Sequence, residues 1–130
     1  MELKYLVGIR EKIIREYFSM WVTKDFTRLN ELFSADCVLQ ESNGPCYLSL
    51  AEINQWIERK IDEQNVLSWK VKEVWPSIDD TFFVVWNLTA IQGSTTNFDG
   101  VSIIHFNEVG MIDSVKNYQS KSEHCFPYHI

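Results

Sequence analysis

The sequence is poor in the residues that mark special chemistry or special surroundings. Cysteine occurs at Cys37, Cys46 and Cys125 only, an odd number with no CxxC pair, so neither a disulfide framework nor thiol redox chemistry is indicated. Read that way, the three are reduced thiols of a cytoplasmic protein. With 5 glycines and 3 prolines there is no low-complexity linker, no Gly-rich phosphate loop and no nucleophile elbow. Phosphoryl transfer and serine hydrolysis therefore lack support. Basic residues are in deficit, 12 against 18 acidic for a net charge of −6, and they are scattered, with Arg10, Lys12 and Arg15 the densest group. Nucleic acid and anionic membrane surfaces both need a basic patch, so neither is an expected partner. No window approaches the roughly 20 apolar residues of a membrane span. Met1 to Arg10 includes Glu2 and has no signal-peptide pattern, so neither membrane insertion nor secretion is expected.

What is present is an ordinary globular balance, 45% apolar and 23% charged over 130 residues, enough to bury one core. Residues 1–130 read as a single domain, with 121–130 as a C-terminal tail. Leu3, Leu6, Val7, Ile13, Ile14, Tyr17, Phe18 and Trp21 recur at helical spacing and predict a long amphipathic helix over about residues 2–22. Asp25 can cap a second, short helix whose apolar face is Phe26, Leu29, Leu32 and Phe33, ended by Ser34-Ala35-Asp36. Residues 37–42 read as a short strand, and Asn43-Gly44-Pro45 as a turn. Ser49 and Glu52 form a capping box before Leu50, Ile53, Trp56, Ile57 and Ile61, the apolar stripe of a third helix ending near Asp62.

After Asn65 the period changes to that of strands. Residues 66–75, Phe82 to Gln92, Phe98 to Asn107 and Met111 to Ser120 are β-rich runs separated by Asp79-Asp80, a Gly93–Thr96 loop and Glu108-Val109-Gly110. Short turns between consecutive strands predict an antiparallel meander. Three helices followed by strands give an α+β fold, the helices covering one sheet face. The other face also carries large apolar groups, and a second copy of the chain is expected to cover it, giving a homodimer.

The stretches "KDFTRLNELFSADCVLQES", "YLSLAEINQWI" and "DGVSIIHFNEVGMIDSVKNY", in this order, resemble the nuclear transport factor 2-like superfamily and its SnoaL-like members over about residues 6–120. The resemblance implies a cystatin-like cone: a curved, mostly antiparallel sheet curled around helices, with a cavity open at one end. In the enzymes of that group the cavity takes a small, apolar, oxygenated molecule and needs no cofactor. Other members are protein-binding modules, and the fold alone does not choose between them.

Ketosteroid isomerases of this superfamily place a Tyr on the first helix eight residues before the Asp that starts the second, and Tyr17 stands eight before Asp25. The resemblance therefore makes Tyr17 the hydrogen-bond donor. It sets Ser42, with Glu41 beside it, at the place of the carboxylate base, and Ser102 at that of the second oxyanion donor. Serine cannot abstract a carbon-bound proton, so ketosteroid isomerisation is not expected, and Glu41 is the candidate acid/base. Strand alternation allows only one of Glu41 and Ser42 to point inward. On the last strand Asn117 and Gln119 should share the cavity face with Val115. Trp21, Gln40, Tyr47, Trp56 and Trp86 complete the candidate wall. His105 should face outward with Val101 and Ile103, which removes the inward His–Asp pair of a scytalone dehydratase. The tail's His124, Cys125 and His129 match no standard metal spacing, so no metal is expected; Phe126, Pro127 and Tyr128 could cover the mouth or pack across a dimer. Two readings remain: a pocket for a small hydrophobic molecule with acid/base chemistry of the isomerase, dehydratase or cyclase type, or a non-catalytic module whose cavity is plugged by Trp21, Trp56, Trp86 or the tail.

Overall fold

The computed structural model describes residues 3–129. Helix α1, Leu3–Thr23, buries Ile14, Tyr17, Phe18, Met20 and Trp21 along one stripe. Its i, i+3, i+4 spacing makes that stripe continuous, and each fully buried large apolar side chain contributes about 1.5–3 kcal/mol. Helix α2 is one turn, Leu29–Leu32. It is shorter than the sequence suggests because Phe33 already pairs with Ile112 in the sheet, so Phe33 to Asp36 belong to strand β1, Phe33–Gln40. Asp25 does not cap α2; its carboxylate accepts from the Thr27 N–H in an Asx turn. Strand β2 is the pair Cys46–Tyr47.

Helix α3, Leu50–Glu63, starts at the predicted cap: the Ser49 hydroxyl accepts from the Glu52 N–H at 3.2 Å. The Glu52 carboxylate reaches one residue further back than in a regular capping box, to the Leu48 N–H at 3.0 Å. Strands β3 (Asn65–Pro76), β4 (Thr81–Gln92), β5 (Ser94–Phe106) and β6 (Ile112–Lys121) form the meander. Lys121, expected in the tail, ends β6. The expected loop at Gly93–Thr96 is almost absent: Gln92 pairs with Ser94, and Gly93 alone reverses the chain at φ 77°, a conformation that favours glycine.

The six strands lie in the order β2-β1-β6-β5-β4-β3, all pairs antiparallel except β1 with β6. The inner face, from Val66 on β3 through Val84 and Trp86 to Ile104 and Val115, meets α1 and α3. At one end of the sheet Arg10 of α1 is 8% exposed and clamps Asp80 through its Nε and Nη2. Its guanidinium also lies 4.9 Å from the Phe106 ring centre. Among the described residues no helix is long and apolar enough to cross a membrane.

Candidate functional site

At the other end the helices and the inner sheet face enclose a cavity of about 310 Å³, near the lower end for small-molecule sites. Its deep wall is aromatic. Trp21 of α1, Trp56 of α3, Trp69 of β3 and Trp86 of β4 all line it. Their rings brace one another at centroid distances of 5.2 Å (Trp21–Trp56), 6.2 Å (Trp21–Trp69) and 5.4 Å (Trp69–Trp86). Interlocked rings of this kind make a stiff wall. The rim is polar: Ser42, Asn43, Gln92 and Gln119 are exposed there, and Lys60 and Gln64 stand at the end of α3.

The carboxylate in this wall is Glu41. It follows directly on the last residue of β1, where the chain turns: the Glu41 N–H donates to the Pro45 carbonyl at 2.8 Å, and the Gly44 N–H to the Glu41 carbonyl at 3.1 Å. Strand alternation therefore no longer separates Glu41 from Ser42, and both line the cavity. Burial pushes the Glu41 carboxyl above its ordinary pKa, while the Asn117 amide and the positive charge of Lys60 pull it back. A half-buried carboxylate held between opposing influences in a cleft has the character of an acid/base group.

Glu41 ends a chain of side-chain hydrogen bonds that crosses the sheet. The Trp86 indole N–H donates to Ser102 Oγ at 2.9 Å, and the Ser102 hydroxyl to Asn117 Oδ1 at 2.5 Å. Asn117 Nδ2 donates to Glu41 Oε1 at 2.9 Å. Register explains the path. Trp86 pairs with Gly100, whose missing side chain lets the indole lie across it towards Ser102, and Ser102 pairs with Asn117.

The remaining predicted residues fall in different places. Trp21, Ser42, Trp56, Trp86, Asn117 and Gln119 line the cavity with Glu41. Ser102, fully buried, lies behind the wall as part of the chain. Tyr17 is 1% exposed and does not line the cavity; its hydroxyl has no hydrogen-bond partner among the described residues, and burial drives its pKa far up. Its ring is flanked by Phe18 and Phe33 at 5.4 and 5.0 Å, and its buried hydroxyl feels Trp21 and Glu41 of the cavity wall. Gln40 pairs with Lys116 on the outward-facing register and is away from the cavity. Tyr47 supports the wall from behind, stacked on Trp56 at 5.2 Å and 23°. Trp69, Lys60 and Gln64 were not singled out by sequence reasoning. Bulges in β3 between Val66 and Ser68 and between Val71 and Glu73 break the alternation that would have marked Trp69.

The tryptophans expected as plugs stand as walls, and among the described residues none of the tail lines the cavity. Phe126 and Tyr128 are exposed at 69% and 94%. Among the described residues no three His, Cys, Asp or Glu side chains gather as a metal site. His105 lies on the outer face, half-buried, with Nδ1 2.5 Å from Asp113 Oδ1, and that contact raises its pKa. Cys37 is buried, and burial pushes its thiol up to about 12, far from a reactive thiolate.

Comparison with known proteins places this geometry. No curated protein matches the chain in sequence. A Bacillus subtilis protein provisionally named an isomerase superposes with a TM-score of 0.77 at 17% identity, covering 88% of each chain. An NTF2-like protein of unknown function from Exiguobacterium gives 0.75 at 20% identity, covering 85% of this chain and 99% of that one. SalBIII, an epoxide hydrolase/cyclase-like enzyme with a role in pyran ring formation in the polyether salinomycin, gives 0.75 at 14% identity, covering 87% and 92%. These likenesses establish the NTF2-like, cystatin-like fold. Residues 14–115 match the SnoaL-like domain, and the chain belongs to the SnoaL-like domain family.

Proposed function

We propose that the protein binds a small, apolar, oxygenated molecule in the cone cavity and that Glu41 moves a proton on it, in chemistry of the isomerase, dehydratase or cyclase type. The observation that carries this reading is the placement of Glu41: a carboxylate on an aromatic wall, one oxygen held by Asn117, its pKa raised by burial. A carboxylate of raised pKa is a stronger base towards a carbon acid, and the same shift keeps more of it protonated and so available to donate to a leaving oxygen. In the simplest step Glu41 takes the proton from carbon beside a carbonyl. The C–H electron pair becomes the C=C bond of an enolate while the carbonyl π pair moves onto oxygen, and the Lys60 ammonium lies on the same cavity lining to attract that charge. The cyclase-like neighbour and the family are consistent with this class of reaction. The rival reading, a non-catalytic module with a self-plugged cavity, draws no support from tryptophans that form walls around open volume.

The test uses 2-tetralone, a flat bicyclic ketone, titrated against the protein while the cavity tryptophans report by fluorescence. Saturable quenching is expected for the wild type and its loss for Leu88→Trp, which fills the cavity. No quenching, or equal quenching in both proteins, would refute occupancy of this site.

A further inference from the structure

We infer that Trp86, Ser102 and Asn117 are positioning residues: together they fix the orientation of the Asn117 amide and so decide which oxygen of Glu41 meets the ligand. This rests on Glu41 being the reactive group proposed above, but the geometry behind it is independent of any ligand.

The reasoning starts from the indole. A tryptophan N–H can only donate. Trp86 Nε1 donates to Ser102 Oγ, so the serine oxygen is engaged as an acceptor and its own hydrogen points onward. That hydrogen goes to Asn117 Oδ1. With its carbonyl end taken, Asn117 turns its NH₂ end to Glu41 Oε1. The three residues are 2%, 0% and 6% exposed, so solvent does not readily substitute for any link. A flipped amide would set Asn117 Oδ1 against a carboxylate oxygen, two acceptors facing each other. It would also leave the Ser102 hydrogen without an acceptor while two N–H groups converge on its oxygen. Both ends of the flip are penalised, and a buried unsatisfied group costs more than a hydrogen bond yields. The chain therefore has one favourable polarity, set by its one donor-only member.

Two consequences follow for Glu41. Oε1 is committed as an acceptor, so the proton that Glu41 gives or takes resides on Oε2, the oxygen left for the ligand. The chain also favours the ionised form against the burial that opposes it. The other charged or titratable groups acting here are Lys60 from α3, which favours ionisation, and Tyr17 from α1, which feels the carboxylate's charge but is held neutral by burial. Neither sets the direction of the amide. Gly100 is what lets the chain form, because a side chain there would occupy the space of the Trp86 six-membered ring.

The experiment is a pH titration of the glutamate side-chain carboxyls by ¹³C NMR on the ligand-free protein, with Glu41→Gln assigning the Glu41 signal. Ser102→Ala removes the donor to Asn117 Oδ1 and frees the amide to turn. The Glu41 midpoint should rise by about one pH unit, a tenfold gain in proton affinity. Ser102→Thr, which keeps the hydroxyl, should restore it. Trp86→Phe removes the donor-only anchor while leaving Asn117 and Lys60 in place, and should shift the midpoint in the same direction by less. An unchanged midpoint in Ser102→Ala, or in Trp86→Phe should the first variant fail to fold, would overturn the inference, as would failure of Ser102→Thr to restore it. The two claims fail separately. Shifts of the stated sign in a protein that takes up no 2-tetralone refute the proposed function alone, and quenching by 2-tetralone with unshifted midpoints refutes the positioning chain alone.

Discussion

Replacing Gly100 by alanine should destabilise the protein, although alanine is ordinarily the better strand residue. Gly100 sits inside β5 with no left-handed φ to protect, so the usual relief of glycine's entropy cost, roughly 0.5–1 kcal/mol, is available to the variant. Against it stands overlap of the new Cβ with the six-membered ring of Trp86, whose nearest carbons leave no room. Forcing a close-packed ring aside costs about 1–3 kcal/mol. The second term is larger, and a net loss of about 1–2 kcal/mol is expected. Unfolding entropy of roughly 2.1 cal/mol/K per residue over 130 residues gives about 0.27 kcal/mol/K, so Tm should fall by about 4–7 °C. Thermal unfolding followed by circular dichroism measures this. The mechanism is tested by repeating the substitution in a Trp86→Phe background, since phenylalanine lacks the ring atoms that collide. There Gly100→Ala should be neutral or stabilising, a coupling of about 1 kcal/mol or more in the double-mutant cycle. An equal loss in both backgrounds, or no loss in the wild type, would refute the reasoning.

Asp80→Asn should cost about 1–3 kcal/mol in urea unfolding, because it leaves the Arg10 guanidinium, 8% exposed, without its anion; asparagine tolerates the φ of 51° at this position, so the loss reports the ion pair and not the turn. Glu41→Gln should raise Tm at pH 7 and leave it unchanged at pH 4. The folded pKa of Glu41 lies above its unfolded value, so its contribution is most favourable below the unfolded pKa and is lost as pH rises through the folded one. A Tm that falls at pH 7 would show that the carboxylate stabilises the fold. The outer sheet face, where Phe83, Trp75 and Tyr118 are 37%, 57% and 47% exposed, is proposed to pair with a second copy. Light scattering should then return twice the 15.3 kDa chain mass, and Ile103→Glu the single mass; a wild-type monomer would sink the proposal.

Elements with a local cause were readable in the sequence. The Ser49 cap of α3 and the alternation of β6, which sends Asn117 and Gln119 inward, depend only on near neighbours. What escaped depended on distant partners. The length of α2 is set by Ile112 on β6, which draws Phe33 into the sheet. Whether Glu41 or Ser42 faces the cavity could not be decided by alternation because the strand ends at Gln40. Tyr17 stands at the family's spacing from Asp25, but spacing along a chain carries no direction, and its hydroxyl is sealed in the core. The Trp86–Ser102–Asn117–Glu41 chain joins strands far apart in sequence and is visible only once register is known.

The most direct test of the central claim, that Glu41 moves a proton on a molecule held in the cavity, is the rate at which 2-tetralone exchanges its α-protons for deuterium in D₂O, followed by NMR. The wild type should accelerate exchange above buffer, and Glu41→Gln should lose most of that gain, a factor of about 10²–10⁴ for a general base. Equal rates for the wild type and Glu41→Gln would contradict the account.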